Sequence, residues 1–120
     1  MPRNMSFALT TEQIKNRTKT VTRRIGWGKL VPGDIVNACV KCMGLKKGEK
    51  PEKLALLYIT SVTKEPLHRL MSDAEYGTAE AIKEGFPGWT GRQFVEMFCQ
   101  HMNPVHGVAT EVNRIEFEYI

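Results

Sequence analysis

Long apolar runs are missing from this sequence. The longest, Leu54-Ala55-Leu56-Leu57-Tyr58-Ile59, falls far short of the ~20 residues that a membrane-spanning helix needs. Cysteine is scarce and odd in number, three in all, which excludes a disulfide framework and suits a reducing compartment. No secretory pattern opens the chain, because polar residues from Thr10 to Arg24 interrupt it. The protein therefore reads as cytoplasmic, with no membrane partner. Low-complexity segments, repeats and dividing linkers are also lacking, so residues 1–120 are expected to form one domain. A chain of this length buries roughly two-thirds of its unfolded surface, and its 42% hydrophobic and 25% charged content is ordinary for a globular protein.

Charge is present in uneven measure. Residues 1–53 carry 12 Lys and Arg against 4 Asp and Glu, whereas residues 54–120 carry 5 against 9. The basic half offers phosphate attraction of the kind nucleic-acid binders use. A solvated basic face without a partner is the plainer alternative.

Three Ser/Thr residues followed three positions later by Glu/Gln predict capped helix starts: Thr10 with Gln13, Ser72 with Glu75, and Thr90 with Gln93. The first helix ends near Arg17. The second runs towards Glu84 and stops at Gly85 and Pro87. The third carries an apolar face of Phe94, Val95, Met97, Phe98 and Met102. Strands are expected over Met5–Leu9, Lys19–Ile25, Ile35–Met43 after the Pro32-Gly33-Asp34 turn, Leu54–Thr63 and Val112–Ile120. Gly44–Lys53, rich in Lys and Gly, reads as an exposed hairpin loop. Five strands, six at most, with three short helices make an α+β domain, a small, partly closed β-barrel.

One stretch resists a purely structural reading. Lys19-Thr20-Val21-Thr22-Arg23-Arg24 packs three cations and two hydroxyls into one short strand. Such a segment is either a solvated edge guarded against pairing or the lining of a polar pocket.

The order strand, short helix, Lys-Thr-x-Thr-x-Arg strand, Pro-Gly-Asp turn, two strands, helices and a closing Ile-Glu-Phe strand resembles the ASCH domain family of the PUA-like superfamily. The matching residues are Lys19, Thr20, Thr22 and Arg24, then Pro32-Gly33-Asp34, Glu84 and Ile115-Glu116-Phe117, so the resemblance spans nearly the whole chain. Thr18 departs from it, because the family often has Gly before the lysine. The resemblance implies a small barrel whose cleft faces RNA or a modified nucleoside, without a cofactor. Some small bacterial members are amidohydrolases that remove the acetyl group of N-acetylated cytidine with a lysine, a threonine and a glutamate. Those roles fall on Lys19, Thr22 and Glu84, with Glu80 as the rival acidic residue.

That chemistry is physically coherent. A threonine hydroxyl attacks an amide carbonyl once a base removes its proton, and lysine serves when burial or neighbouring cations lower its pKa. Arg23 and Arg24 are such neighbours, and Arg24 is also suited to a phosphate or a developing oxyanion. Glu84 would relay a proton to the leaving amine. Strand alternation sends Lys19 and Thr22 to opposite faces, so the triad requires Lys19 at the strand mouth or a bulge between the two.

The reading that needs fewer features, and so stands first, is a binding module for RNA or a modified nucleoside, built from Thr20, Arg23, Arg24, Lys29 and a stacking Trp27, with the amidohydrolase as its alternative. A tryptophan plugging the barrel end is the structural alternative for Trp27. Cys39, Cys42, Cys99 and His101 resemble zinc ligands in number. Their spacing on a strand and a helix points them apart, so buried thiols and no metal are expected.

Overall fold

The computed structural model describes residues 2–41 and 47–120. Its five strands are β1 (Arg3–Ser6), β2 (Val21–Arg24), β3 (Ile35–Cys39), β4 (Lys53–Pro66) and β5 (Glu111–Tyr119). They form one sheet in the order β1-β3-β4-β5-β2. β1 runs parallel to β3, and the other pairs are antiparallel. The sheet curls into a half-barrel, the expected α+β architecture. Its two outermost strands approach each other, and Arg24 of β2 donates to the Ser6 carbonyl of β1 at 2.6 Å.

Strand limits differ from expectation for local reasons. β1 stops at Ser6 because Ala8–Thr10 winds into a 3-10 turn. β2 begins only at Val21 because the N–H groups of Thr18 and Lys19 both donate back to the Gln13 carbonyl. It ends at Arg24 because Gly26 and Trp27 take positive φ values of 90° and 62°. Cys42, Met43 and part of the expected hairpin loop lie outside the described residues.

One bulge decides the use of β4. Leu57 and Ile59 point into the barrel, where they meet Met5, Phe7, Val36, Ile115 and Phe117. Between Ile59 and Ser61 the register with β5 slips by one residue. Alternation therefore restarts, Val62 packs on the same interior, and Glu65 turns to the opposite, helix-covered face.

The helices are α1 (Thr11–Lys15), α2 (Arg69–Ser72), α3 (Ala74–Lys83) and α4 (Gly91–Met102). Thr90 and Gln93 form the predicted reciprocal cap of α4. The other two predicted caps do not form. Ser72 closes the unexpected helix α2, and Asp73 caps α3 by accepting from the Tyr76 N–H. Thr10 makes no side-chain cap, and Gln13 instead donates to the Gly85 carbonyl at 3.2 Å. α3 and α4 cross at two glycines. A Cβ on Gly91 would stand 1.9 Å from the Leu70 carbonyl oxygen, and one on Gly77 would stand 2.1 Å from it. A second core of Leu67, Leu70, Phe94, Val95, Phe98 and Val112 joins these helices to the sheet.

Candidate functional site

Register places the two basic residues of β2 on different faces. Thr22 lies opposite Ile115, a barrel-interior residue, whereas Arg23 lies opposite Arg114 on the face covered by helices. Two guanidinium groups directly across a strand pair repel, so this arrangement needs anions. α3 and the turn after it supply them. Tyr76, Glu80 and Glu84 recur every four residues and so share one helix face, which is turned inward.

The resulting network is continuous. Arg23 Nη1 donates to Glu84 Oε2 at 2.9 Å, while Nη2 reaches Glu80 Oε1 at 2.6 Å and Glu65 Oε1 at 3.2 Å. Tyr76 donates its hydroxyl proton to Glu65 Oε1 at 2.9 Å and accepts from Arg23 Nη2 at 3.3 Å. Arg114 grips Glu80 with Nε at 2.5 Å and Nη2 at 3.2 Å. Among the described residues, the buried side-chain polar atoms without a partner are Arg23 Nε and Glu65 Oε2. Three buried or half-buried cations, Lys19, Arg23 and Arg114, thus face three carboxylates, Glu65, Glu80 and Glu84.

Electrostatics follow from the packing. Burial pushes the Glu80 carboxyl up, but hydrogen bonds from Arg114 and Arg23 and their charges outweigh it, holding Glu80 at about 2. Burial pulls the Arg23 guanidinium down, and the charges of Glu84 and Glu65 with the Glu80 contact more than restore it. Burial, then the Glu65 hydrogen bond, raise Tyr76.

Lys19 lies two residues before β2, at its mouth, the first of the two arrangements that alternation allows. Its amine donates to Glu84 Oε1 at 2.6 Å and to the Glu84 carbonyl at 2.8 Å. Its backbone carbonyl accepts from the Tyr119 hydroxyl at 2.6 Å. Burial lowers the pKa of the amine, Glu84 opposes that by charge and hydrogen bond, and the charges of Arg24 and Arg23 add to the lowering.

Lys19, Thr22 and Glu84, each at most 3% exposed, line one cavity of about 210 Å³ together with Arg24. Arg24 donates to Thr22 Oγ1 at 3.1 Å, and its guanidinium lies 4.6 Å from the Phe7 ring centre. Most of the remaining wall is apolar, with Leu9, Phe86, Phe94, Met97 and Met102, beside Ser6 and Thr10. Trp89 stacks on Phe86 from the loop between α3 and α4, ring centres 4.6 Å apart.

The other sequence-predicted site residues are engaged by the protein itself or lie elsewhere. The Arg23 guanidinium borders the cavity but is spent on three carboxylates, so it is no free ligand for phosphate. Thr20 is exposed outside the cavity, its backbone bonded to Lys83 and Phe117. Lys29 is exposed on the loop after β2 and is not part of the cavity wall. Trp27 packs on the barrel core with the Arg3 guanidinium 4.2 Å from its ring centre. It too is absent from the cavity wall, which is the barrel-plug alternative. Cys39 is buried and contacts the Asn37 carbonyl at 3.7 Å, Cys99 is half-buried on α4, and Cys42 lies outside the described residues. No group of three metal-ligating side chains occurs among the described residues.

Sequence reasoning treated Glu80 and Glu84 as rivals. Glu84 lines the cavity, whereas Glu80 lies behind it against Arg23 and Arg114. Glu65, Tyr76 and Arg114 were missed. Their signal was the Tyr76, Glu80, Glu84 spacing, a polar stripe that is ordinarily read as a solvated helix face.

No protein-family model and no curated protein matches the sequence. Solved structures do. Protein EF3133 from Enterococcus faecalis, of family DUF984, superposes with a TM-score of 0.64 at 14% identity over 100% of this chain and 80% of its own. The ASCH domain from Lactobacillus crispatus gives 0.57 at 15% identity, covering 98% of this chain and 78% of its own. A variant of ZmASCH from Zymomonas mobilis gives 0.56 at 13% identity over 97% of this chain, which spans 65% of that protein's length. With a curled five-stranded sheet, helices packed on one face and these neighbours, the chain has an ASCH-like fold.

Proposed function

We propose that the cavity receives the base of a modified nucleoside and that the protein hydrolyses an exocyclic acyl amide on it, as in N-acetylated cytidine. The observation that carries this reading is the convergence of Lys19, Thr22 and Glu84 on one small cavity. At about 210 Å³ it is below the roughly 300–1,000 Å³ of drug-sized sites, which suits a single ring with a short substituent. Its apolar wall accepts a flat ring, and its polar end holds an amine, a hydroxyl and a guanidinium.

In this reaction Thr22 Oγ1 bonds to the acyl carbon and its proton passes to the Lys19 amine. Arg24, already donating to that oxygen, stabilises negative charge developing beside it. The C–N bond then breaks, and the departing exocyclic amine takes a proton from Lys19. Water attacks the acyl-threonine ester, releases the acyl group as a carboxylic acid and returns the proton to Thr22 through Lys19. Glu84 keeps the amine in place and exchanges protons with it across 2.6 Å.

An extended RNA surface centred on Arg23 and Trp27 has less support, because both side chains are engaged inside the protein. The test is incubation with N-acetylated cytidine, free and within an RNA oligonucleotide, followed by chromatography for cytidine and acetate. Turnover that disappears in Thr22→Ala, with an unchanged melting curve, is expected. No product from either substrate overturns the hydrolytic reading.

A further inference from the structure

We propose that Arg23 is a positioning residue: it holds one oxygen of Glu84 and so leaves Lys19 only the other, which fixes the amine against the cavity wall. This rests on the hydrolytic reading for its consequence, but the geometry stands by itself. Glu84 has two carboxylate oxygens, and Arg23 Nη1 takes Oε2 while Lys19 Nζ takes Oε1. With the Glu84 carbonyl as its second acceptor, the amine has one remaining direction for a third interaction.

The rest of the network keeps Arg23 from moving. Its Nη2 is divided among Glu80, Glu65 and the Tyr76 hydroxyl. Glu80 is in turn held by Arg114 and, at 3.3 Å, by Lys83, whose side chain is 45% exposed. The chain of contacts thus runs from the cavity through Glu84, Arg23 and Glu80 to the surface. An apolar residue at position 23 would leave buried Glu65 without a cation and take one cation each from Glu80 and Glu84. A phosphate ligand for Arg23 would need to displace three partners at once. Position 23 therefore serves the site from behind rather than by contact with substrate.

Charge gives the arrangement a measurable sign. The groups that face the Lys19 amine are Glu84, Arg24 and Arg23. Removing the cation at position 23 ends one repulsion and gives Glu84 wholly to Lys19, so the amine holds its proton more firmly. Removing the anion at position 80 leaves the Arg23 charge less neutralised and acts in the opposite direction.

The test is an NMR titration of the Lys19 side chain in full-length protein without substrate, its signal assigned by Lys19→Arg. Arg23→Gln is expected to move that titration up, with Arg23→Lys moving it less. Glu80→Gln is expected to move it down, and it supplies the test if Arg23→Gln does not fold. A folded variant whose Lys19 titrates as in the unaltered protein overturns the proposal. In active protein the acid limb of the turnover profile should follow the same shifts, which a purely structural role would not produce. Shifted titrations without turnover sink the hydrolytic reading alone, whereas turnover with unmoved titrations sinks the role of Arg23 alone.

Discussion

Neutralising Glu80 should remove a pH-dependent part of the folding free energy, and the size follows from its surroundings. Its carboxyl has an ordinary value of 4.5 and is held at about 2 in the fold. The folded state therefore prefers the ionised form. Stability from this group is complete above pH 4.5 and is lost as pH falls towards 2. A depression of that size is worth about 3 kcal/mol at neutral pH, and roughly 2 kcal/mol of it has gone by pH 3. The side chain is 2% exposed, so solvent screening takes little from this figure. The assay is urea unfolding of the unaltered protein and Glu80→Gln at a series of pH values from 7 to 3. The stability difference should be largest at neutral pH and shrink by roughly 2 kcal/mol at the acid end. A difference that stays constant across the series would refute the ionic account of Glu80 and leave only a hydrogen-bonding one.

Three further outcomes are expected. Gly91→Ala sets a methyl 1.9 Å from the Leu70 carbonyl oxygen and 2.7 Å from Gly77 Cα, so α3 and α4 must part. A loss of about 1–3 kcal/mol or more should appear in denaturant unfolding. Thr90→Ala removes one arm of the α4 capping box and should cost about 1 kcal/mol, read as a lower melting temperature. Lys29→Ala, on an exposed loop outside the cavity, should leave nucleoside affinity within twofold by calorimetry, and a tenfold loss would return that loop to the binding surface.

Much of the fold could be read from residues, and the failures have causes. Strand and helix order followed from turn residues and apolar spacing, because each signal was local. The α4 cap formed as Thr90 and Gln93 predicted, since nothing else competes for those side chains. At Thr10 the same pattern failed because Gln13 is drawn to the Gly85 carbonyl, 72 residues away. Ser72 failed because Asp73, a strong N-cap acceptor, stands one position later. The site divided along the same line. Lys19, Thr22 and Glu84 line one cavity, whereas the contacts of Arg23 depend on partners 42 to 61 residues distant. Charge along the chain misled for that reason. Cations of the basic half meet carboxylates of the acidic half, so part of the asymmetry is cancelled internally.

The extra residue in β4 gives length itself a chemical meaning. Were Thr60 drawn into a regular ladder with β5 instead of bulging, a two-residue rhythm would run unbroken through Pro66 and turn the second half of the strand inside out. Glu65 would then be driven among the phenylalanines of the barrel, and Val62 would take its place before Tyr76 and Arg23. In this protein one unpaired residue in the middle of a strand thus decides between an ionic lining and an oily one.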